Sequence, residues 1–497
     1  MILIVQNRTE YENDLRAMVM AFFPGEKLKV VAPPDMALFS RDELTGYHFI
    51  LTVIYNVESQ YQKTTRFRIE EGGHIAYSAY AYGDYTDRKR YRNKFKLAIY
   101  RMLSEYTGRD LPWGSLTGMR PTKIATSAYL DGKNREETIE YFTRVYDTSL
   151  DKAILATDVA MKERRILASV NPYSEYCLYI GIPFCPTRCL YCSFTAYPIY
   201  EFESKVPEYL KALEKELQFI SYLNRHRRLV AIYIGGGTPT ALSERDLGHL
   251  LDAVDDSFDM SNLREYTVEA GRPDSITQGK LTEMKRHGVT RISINPQTMN
   301  EFTLRKIGRS HTPTQIVLAM DMARKAGFEN VNMDIIAGLP GEAAEDMEYT
   351  LDAIERMKPE SLTVHSLALK RKARLNTEYD DYRGDINHDV DKMLALAGAR
   401  ARKMGMAPYY LYRQKNIAGN LENVGYAKKG LECIYNVLIM EERLDIYAAG
   451  AGSVSRVVTV EDDRTVKVDR VENVSNIDEY ISRIDEMLER KRAASEE

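Results

Sequence analysis

A chain of 497 residues, 44% hydrophobic and 28% charged, has the balance of an ordinary globular protein and room for two or three domains at about 100–200 residues each. Its net charge of −4 gives no electrostatic case for nucleic acid or an anionic membrane as main partner. Five cysteines, an odd number, do not make a disulfide framework, and no apolar run approaches the roughly 18 residues that span a bilayer.

The N-terminus, MILIVQNRTEYENDL, is a short apolar run with an acidic sequel. Lacking a basic n-region and a small-residue cleavage site, it reads as a strand rather than a signal peptide, and the expected location is cytoplasmic. Strand-like runs at 28–32, 47–55 and 65–70 precede a basic helical stretch at 88–106. The loop LPWGSLTGMRPTKIA and further helix follow, so residues 1–170 read as an α+β accessory domain. Its basic cluster DRKRYRNKFK, residues 87–96, reads as a solvated helix face.

From residue 171 to 370 the pattern becomes strand-then-helix. Short β-branched runs lie at 176–182, 229–234, 265–270, 290–294, 330–336 and 361–367, with helical spacing between them, as in Leu210, Leu213, Leu217, Ile220 and Leu223. Successive βα units demand a parallel sheet with helices outside it. Six are too few for a closed eight-stranded barrel, so the expected fold is α/β, a partial (β/α)6 TIM-like barrel whose ligand lies at the carboxyl ends of the strands. Residues 371–497 read as a mostly helical C-terminal, substrate-covering region. It includes a tyrosine-rich stretch, MAPYYLYRQKN, a glycine-rich segment, AAGAGSVSR, and a final amphipathic helix with Ile477, Tyr480, Ile481, Ile484, Met487 and Leu488 on one stripe.

Three of the five cysteines, Cys185, Cys189 and Cys192, stand in GIPFCPTRCLYCSF directly after the first barrel strand. Thiolates are the ligands of iron–sulfur clusters, and the C-x3-C-x2-C spacing lets one loop wrap a 4Fe-4S cubane while one iron keeps no protein ligand. Structural zinc would ask for a second ligand pair; Cys177 and Cys433 stand alone and read as core residues. The following strand ends carry Gly235-Gly236-Gly237-Thr238-Pro239, then Glu269, Gln297, Arg309 and Asp334. Glycines let backbone approach a ligand. Glu269 offers an acceptor and Arg309 a cation suited to planar anions, and Gln297 and Asp334 are further polar groups converging on the same site.

This set resembles the radical S-adenosylmethionine enzymes. The run from Tyr179 to Leu339, with Tyr-x-x-Ile-Pro-Phe-Cys, GGGTPT, RISINPQ, Gly308-Arg309 and NMDIIAGLPGE, is similar to the oxygen-independent coproporphyrinogen III oxidase family. The flanks TGMRPTKIA and YYLYRQKNIAGNLENVGY resemble its HemZ-type members. The resemblance implies a 4Fe-4S cluster on the three cysteines. It implies S-adenosylmethionine contacts from Tyr179, Tyr191, Gly236, Gly237, Thr238, Glu269, Gln297, Arg309 and Asp334. It also implies reductive formation of a 5′-deoxyadenosyl radical that starts the oxidative decarboxylation of tetrapyrrole propionates to vinyls, with a low-potential electron donor. Gly181, where the oxidase has His, and Phe194, where it has a further Cys, look more like the haem chaperones of the superfamily. A haem chaperone, or a radical enzyme with another substrate, is therefore the alternative expectation. Lys370, Arg371, Lys372, Arg374, Arg413 and Lys415 are candidate partners for propionates, and Tyr409, Tyr410 and Tyr412 for a flat ring.

Overall fold

A computed structural model of the chain describes residues 1–32, 46–58, 61–118, 120–368, 373–377, 389–413, 421–461 and 465–496. It divides into two compact units, Met1–Thr157 with Tyr412–Glu422, and Asp158–Leu411 with Asn423–Glu497.

The first unit is a five-stranded sheet of order β2-β1-β3-β4-β5, from β1 (Ile2–Gln6), β2 (Leu28–Val31), β3 (Ile50–Val57), β4 (Gln62–Glu71) and β5 (His74–Asp84). Alternation in β4 sends Thr65, Phe67 and Ile69 inward, where helices Glu12–Phe22 and Arg88–Thr107 cover them with Leu15, Met18, Tyr91, Phe95 and Ile99. The basic helix is partly neutralised at its surface: Arg92 makes a forked pair with Asp14 at 2.6 and 2.9 Å. Helices Thr122–Leu130 and Arg135–Tyr146 follow, the second opened by an Asn134/Glu137 capping box.

In the second unit six parallel strands appear where the β-branched runs stand: β6 (Glu175–Ile182), β9 (Arg228–Gly236), β10 (Glu265–Gly271), β11 (Arg291–Gln297), β12 (Val331–Ala337) and β13 (Ser361–Ser366), with the two-residue β7 (Phe184–Cys185) and β8 (Tyr197–Pro198) in the loop after β6. The sheet then grows at both edges. β14 (Ala407–Arg413) and β15 (Glu422–Ala427) extend it beyond β13, and β16 (Asp445–Ala449), β17 (Val454–Val460) and β18 (Val466–Glu472) extend it beyond β6, eleven strands in all. β16 runs parallel to β6, Ala448 opposite Tyr179. Its sequence, DIYAA, is too short and alanine-rich to announce a strand; complete burial supplies what propensity lacks.

Among the described residues, helices Arg374–Thr377, Val390–Lys403, Ile434–Glu441, Ile477–Ser482 and Ile484–Glu496 make up the helical part of the C-terminal region. The last two bury Ile477, Tyr480, Ile484, Met487 and Leu488. They are pinned by buried Glu216, whose carboxylate accepts from Lys491 Nζ at 2.5 Å, Asn473 Nδ2 at 2.8 Å, Tyr480 Oη and the Gly450 amide at 2.8 Å. Among the described residues no helix is long and apolar enough to cross a membrane.

Candidate functional site

Each of the six parallel strands is buried along its length except at one interior position: Tyr179, Tyr233, Glu269, Asn295, Asp334 and His365 are partly accessible, besides the ends of β9. These side chains face the barrel opening, and the cysteine loop lies where β6 leaves the sheet. The loop closes on itself through the β7–β8 pair and a Tyr197 N–H donation to Pro183 O at 2.8 Å. Cys192 N–H donates to Cys189 O at 3.2 Å, a tight turn between the second and third thiols. Leu190 anchors the loop from below, its N–H on Ile307 O at 3.0 Å and its side chain among Ile307, Ile336, Leu339 and Leu375.

Burial pushes the Cys185 thiol up to about 12, against a hydrogen bond from Thr238 and with the Cys189 and Cys192 sulfurs adding to the rise. A thiol buried as Cys185 is ionises readily only with a cation beside it, the condition an iron–sulfur cluster meets. Among the described residues no three His, Cys, Asp or Glu side chains are gathered to hold a single ion. A cubane instead takes each thiolate on a different corner iron.

The glycine run at the end of β9 is joined to the cysteine loop through backbone. Gly237 and Thr238 N–H groups donate to Ile182 O and Phe184 O at 2.8 and 2.7 Å. A Cβ on Gly237 would lie 2.5 Å from Phe184 O, and Gly236 has φ +103°, so no other residue fits this junction without strain. Thr238 Oγ1 sits 3.4 Å from Cys185 Sγ.

Beneath lies Glu269, its Oε1 accepting from Tyr233 Oη at 2.5 Å. Burial lifts its carboxyl to about 7, the Tyr233 bond opposing and the Asp334 charge assisting. A carboxyl held there gains most from an incoming cation. Tyr233, Tyr179 and Tyr435 form a triangle of near-parallel rings, Tyr233 lying 6.2 Å from Tyr179 and 4.7 Å from Tyr435, and those two 6.2 Å from each other.

Gln297 ends β11 at a bulge with φ +67°, and its buried Oε1 has no hydrogen-bond partner, an acceptor left open towards a ligand. Arg309 is buried beside Tyr191 and Cys189 and donates to Asn295 O at 2.5 Å. Burial works against its charge, yet Tyr191 and Cys189 hold its pKa above the ordinary value. Asp334 accepts from Asn332 Nδ2 at 2.7 Å and stands 3.7 Å from His365 Nε2. Burial alone would raise its carboxyl, but the bonds from His365, Asn332 and Thr363 bring it below the usual range. One end of the barrel thus gathers three thiols, a carboxyl of raised pKa, a buried guanidinium, an ionised carboxylate and an amide oxygen without a hydrogen-bond partner.

Tyr179, Tyr191, Gly236, Gly237, Thr238, Glu269, Gln297, Arg309 and Asp334 all belong to this end. Tyr233, Asn295, His365 and Arg272 were not anticipated; the first three recur at the interior position of their strands, a signal that only the strand registers make readable. The tyrosine stretch is corrected. Tyr409 and Tyr410 are core residues of β14, and Tyr409 neighbours Arg291, Cys433 and Glu265, at the ends of the strands opposite the site. Arg413 is buried over Trp113 at 5.3 Å within the first unit. Arg374 is exposed on a short helix, while Lys370, Arg371, Lys372 and Lys415 lie outside the described residues.

A family model described as the radical SAM superfamily matches residues 179–354. The oxygen-independent coproporphyrinogen-III oxidase-like protein HemZ of Bacillus subtilis (strain 168) is 38% identical over 409 residues, covering 81% of each chain. The heme chaperone HemW of the same organism is 38% identical over 195 residues, 39% of this chain and 51% of that protein. Among solved structures, the coproporphyrinogen III oxidase HemN of Escherichia coli, described as a radical SAM enzyme, superposes with a TM-score of 0.51 at 21% identity, over 66% of this chain and 73% of that one. At that identity the likeness is one of fold.

Proposed function

The chain belongs to the radical S-adenosylmethionine superfamily and, within it, to the oxygen-independent coproporphyrinogen-III oxidase-like family; from that premise we propose that it is an oxidoreductase converting propionates of coproporphyrinogen III to vinyls, giving protoporphyrinogen IX in the cytoplasm. Members of the superfamily use a 4Fe-4S cluster and S-adenosylmethionine. When bound, these supply a one-electron reductive cleavage that lets the enzyme remove a hydrogen atom from an unactivated carbon.

This chain's residues take the following parts. Cys185, Cys189 and Cys192 would hold the cluster through their thiolates. Glu269, carrying its carboxyl near 7 until a cation arrives, receives the ammonium. Arg309 receives the carboxylate, and Gln297 and Asp334 the ribose hydroxyls. The backbone of Gly236 and Gly237, free of side chains, would let the ligand approach closely. The observation that carries the reading is the convergence of Glu269, Gln297 and Asp334 from successive parallel strands, and of Arg309 from the segment after β11, on the barrel opening beside the thiols.

Anaerobically reconstituted protein given S-adenosylmethionine, a low-potential reductant and coproporphyrinogen III should release 5′-deoxyadenosine and a divinyl product lighter by two carbon dioxides and four hydrogens. 5′-Deoxyadenosine without vinyl product would refute the substrate. A second reading, haem transfer, is favoured by Gly181 and Phe194, which depart from the oxidase pattern in and beside the cysteine loop. Stoichiometric haem release to an apo-acceptor without turnover would select that reading.

A further inference from the structure

Arg272, just past the end of β10 and 2% exposed, has no part in the roles above. Its guanidinium is committed on two sides. Nε and Nη2 fork onto Asp274 at 3.0 and 2.7 Å. Nη1 donates to Thr187 twice, to Oγ1 at 2.5 Å and to the carbonyl at 3.3 Å. The Thr187 hydroxyl passes the connection on, donating to Gly308 O at 2.9 Å. Thr187 lies between Cys185 and Cys189, and Gly308 precedes Arg309. A single buried side chain therefore ties the exit of the third parallel strand to the cysteine loop and to the loop that carries the carboxylate-binding arginine.

A planar five-donor fork suits this arrangement, and a lysine ammonium cannot reproduce it. The pair is also electrically consequential. Asp274 is 17% exposed and Arg272 3% at the side chain, so their charges are weakly screened next to the Cys185 thiol. His311, buried 3.9 Å from Asp274, is pushed down to about 4 by burial first and then by the Arg309 charge, so it stays neutral and leaves Arg272 as the cation paired with Asp274.

We propose that Arg272 is a positioning residue for the iron–sulfur cluster: through Thr187 it holds Cys185 and Cys189 at one spacing, and with Asp274 it sets the local field and hence the reduction potential. The inference rests on the three-cysteine assignment above. R272Q removes the fork and leaves Asp274 unbalanced; R272K keeps the charge and loses the fork; D274N leaves the cation unbalanced.

The test uses anaerobically reconstituted full-length protein, with iron and sulfide content, the rate of iron loss to a chelator, and an EPR-monitored redox titration. R272Q should lose iron about 10- to 100-fold faster than the parent, the factor expected for breaking charge-assisted bonds, and its potential should fall. D274N should move the potential in the opposite direction. R272K should keep the parent potential while losing iron faster, a separation that a merely structural residue would not produce. Should R272Q fail to fold, R272K and D274N carry the same comparison. Equal iron-loss rates and equal potentials across the set overturn the proposal. A parent protein that takes up no cluster overturns the cysteine assignment instead, so the two failures are distinct.

Discussion

Replacing Glu269 by Gln should make the ligand-free protein more stable and the site useless at once. Burial lifts the Glu269 carboxyl from 4.5 to about 7. In the unfolded chain the group ionises near its ordinary value, so the folded state is increasingly penalised as pH rises between the two. With linkage, that penalty is under about 1 kcal/mol at pH 5 and reaches about 3 kcal/mol at pH 8, where the folded protein finally carries a buried charge. Glutamine keeps an acceptor for Tyr233 Oη and carries no charge. Thermal unfolding of cluster-free E269Q against the parent should show a gain of a few degrees at pH 8, shrinking towards pH 5. Isothermal titration of S-adenosylmethionine into the reconstituted protein should show the opposite sign, with affinity lost about 10- to 100-fold on removing a charge-assisted bond. In the parent, affinity should fall as pH drops below about 7, because the carboxyl must then give up its proton to hold the ammonium. A stability gain equal at pH 5 and pH 8, or unchanged S-adenosylmethionine affinity, would refute the account.

Cys189→Ala should abolish both cluster assembly and S-adenosylmethionine cleavage; full iron and sulfide content in that variant would show the ligand assignment to be wrong. Gly237→Ala puts a methyl group 2.5 Å from Phe184 O and 2.8 Å from Ile182 O; it should cost about 1–3 kcal/mol of stability, as overpacking does, and weaken S-adenosylmethionine binding, measured by denaturation and titration. Lys491→Met leaves buried Glu216 without its cation. A loss of about 3–5 kcal/mol is expected, with limited proteolysis cutting first in the two final helices.

The features legible in the chain's order are those written by local constraint. The C-x3-C-x2-C spacing, the β-branched runs and the polar residues at strand ends each follow from neighbours a few positions apart, and six parallel strands with Glu269, Gln297, Arg309 and Asp334 at one end follow from them. The tyrosine stretch misled because composition does not carry register: pairing within the sheet turns Tyr409 into the core at the far end of the barrel. Cys177 and Cys433 are buried, as small hydrophobes are.

What only tertiary structure decided lies in contacts between distant segments. β16 becomes a parallel strand because β6 and complete burial make it one, not because DIYAA favours it. Arg272 acquires its importance from Thr187, 85 positions earlier, and Glu269 its raised pKa from being enclosed beneath Tyr233. A sequence specifies which groups are present and how far apart they stand along the chain; the field and the packing each one meets are set by residues that only folding brings beside it.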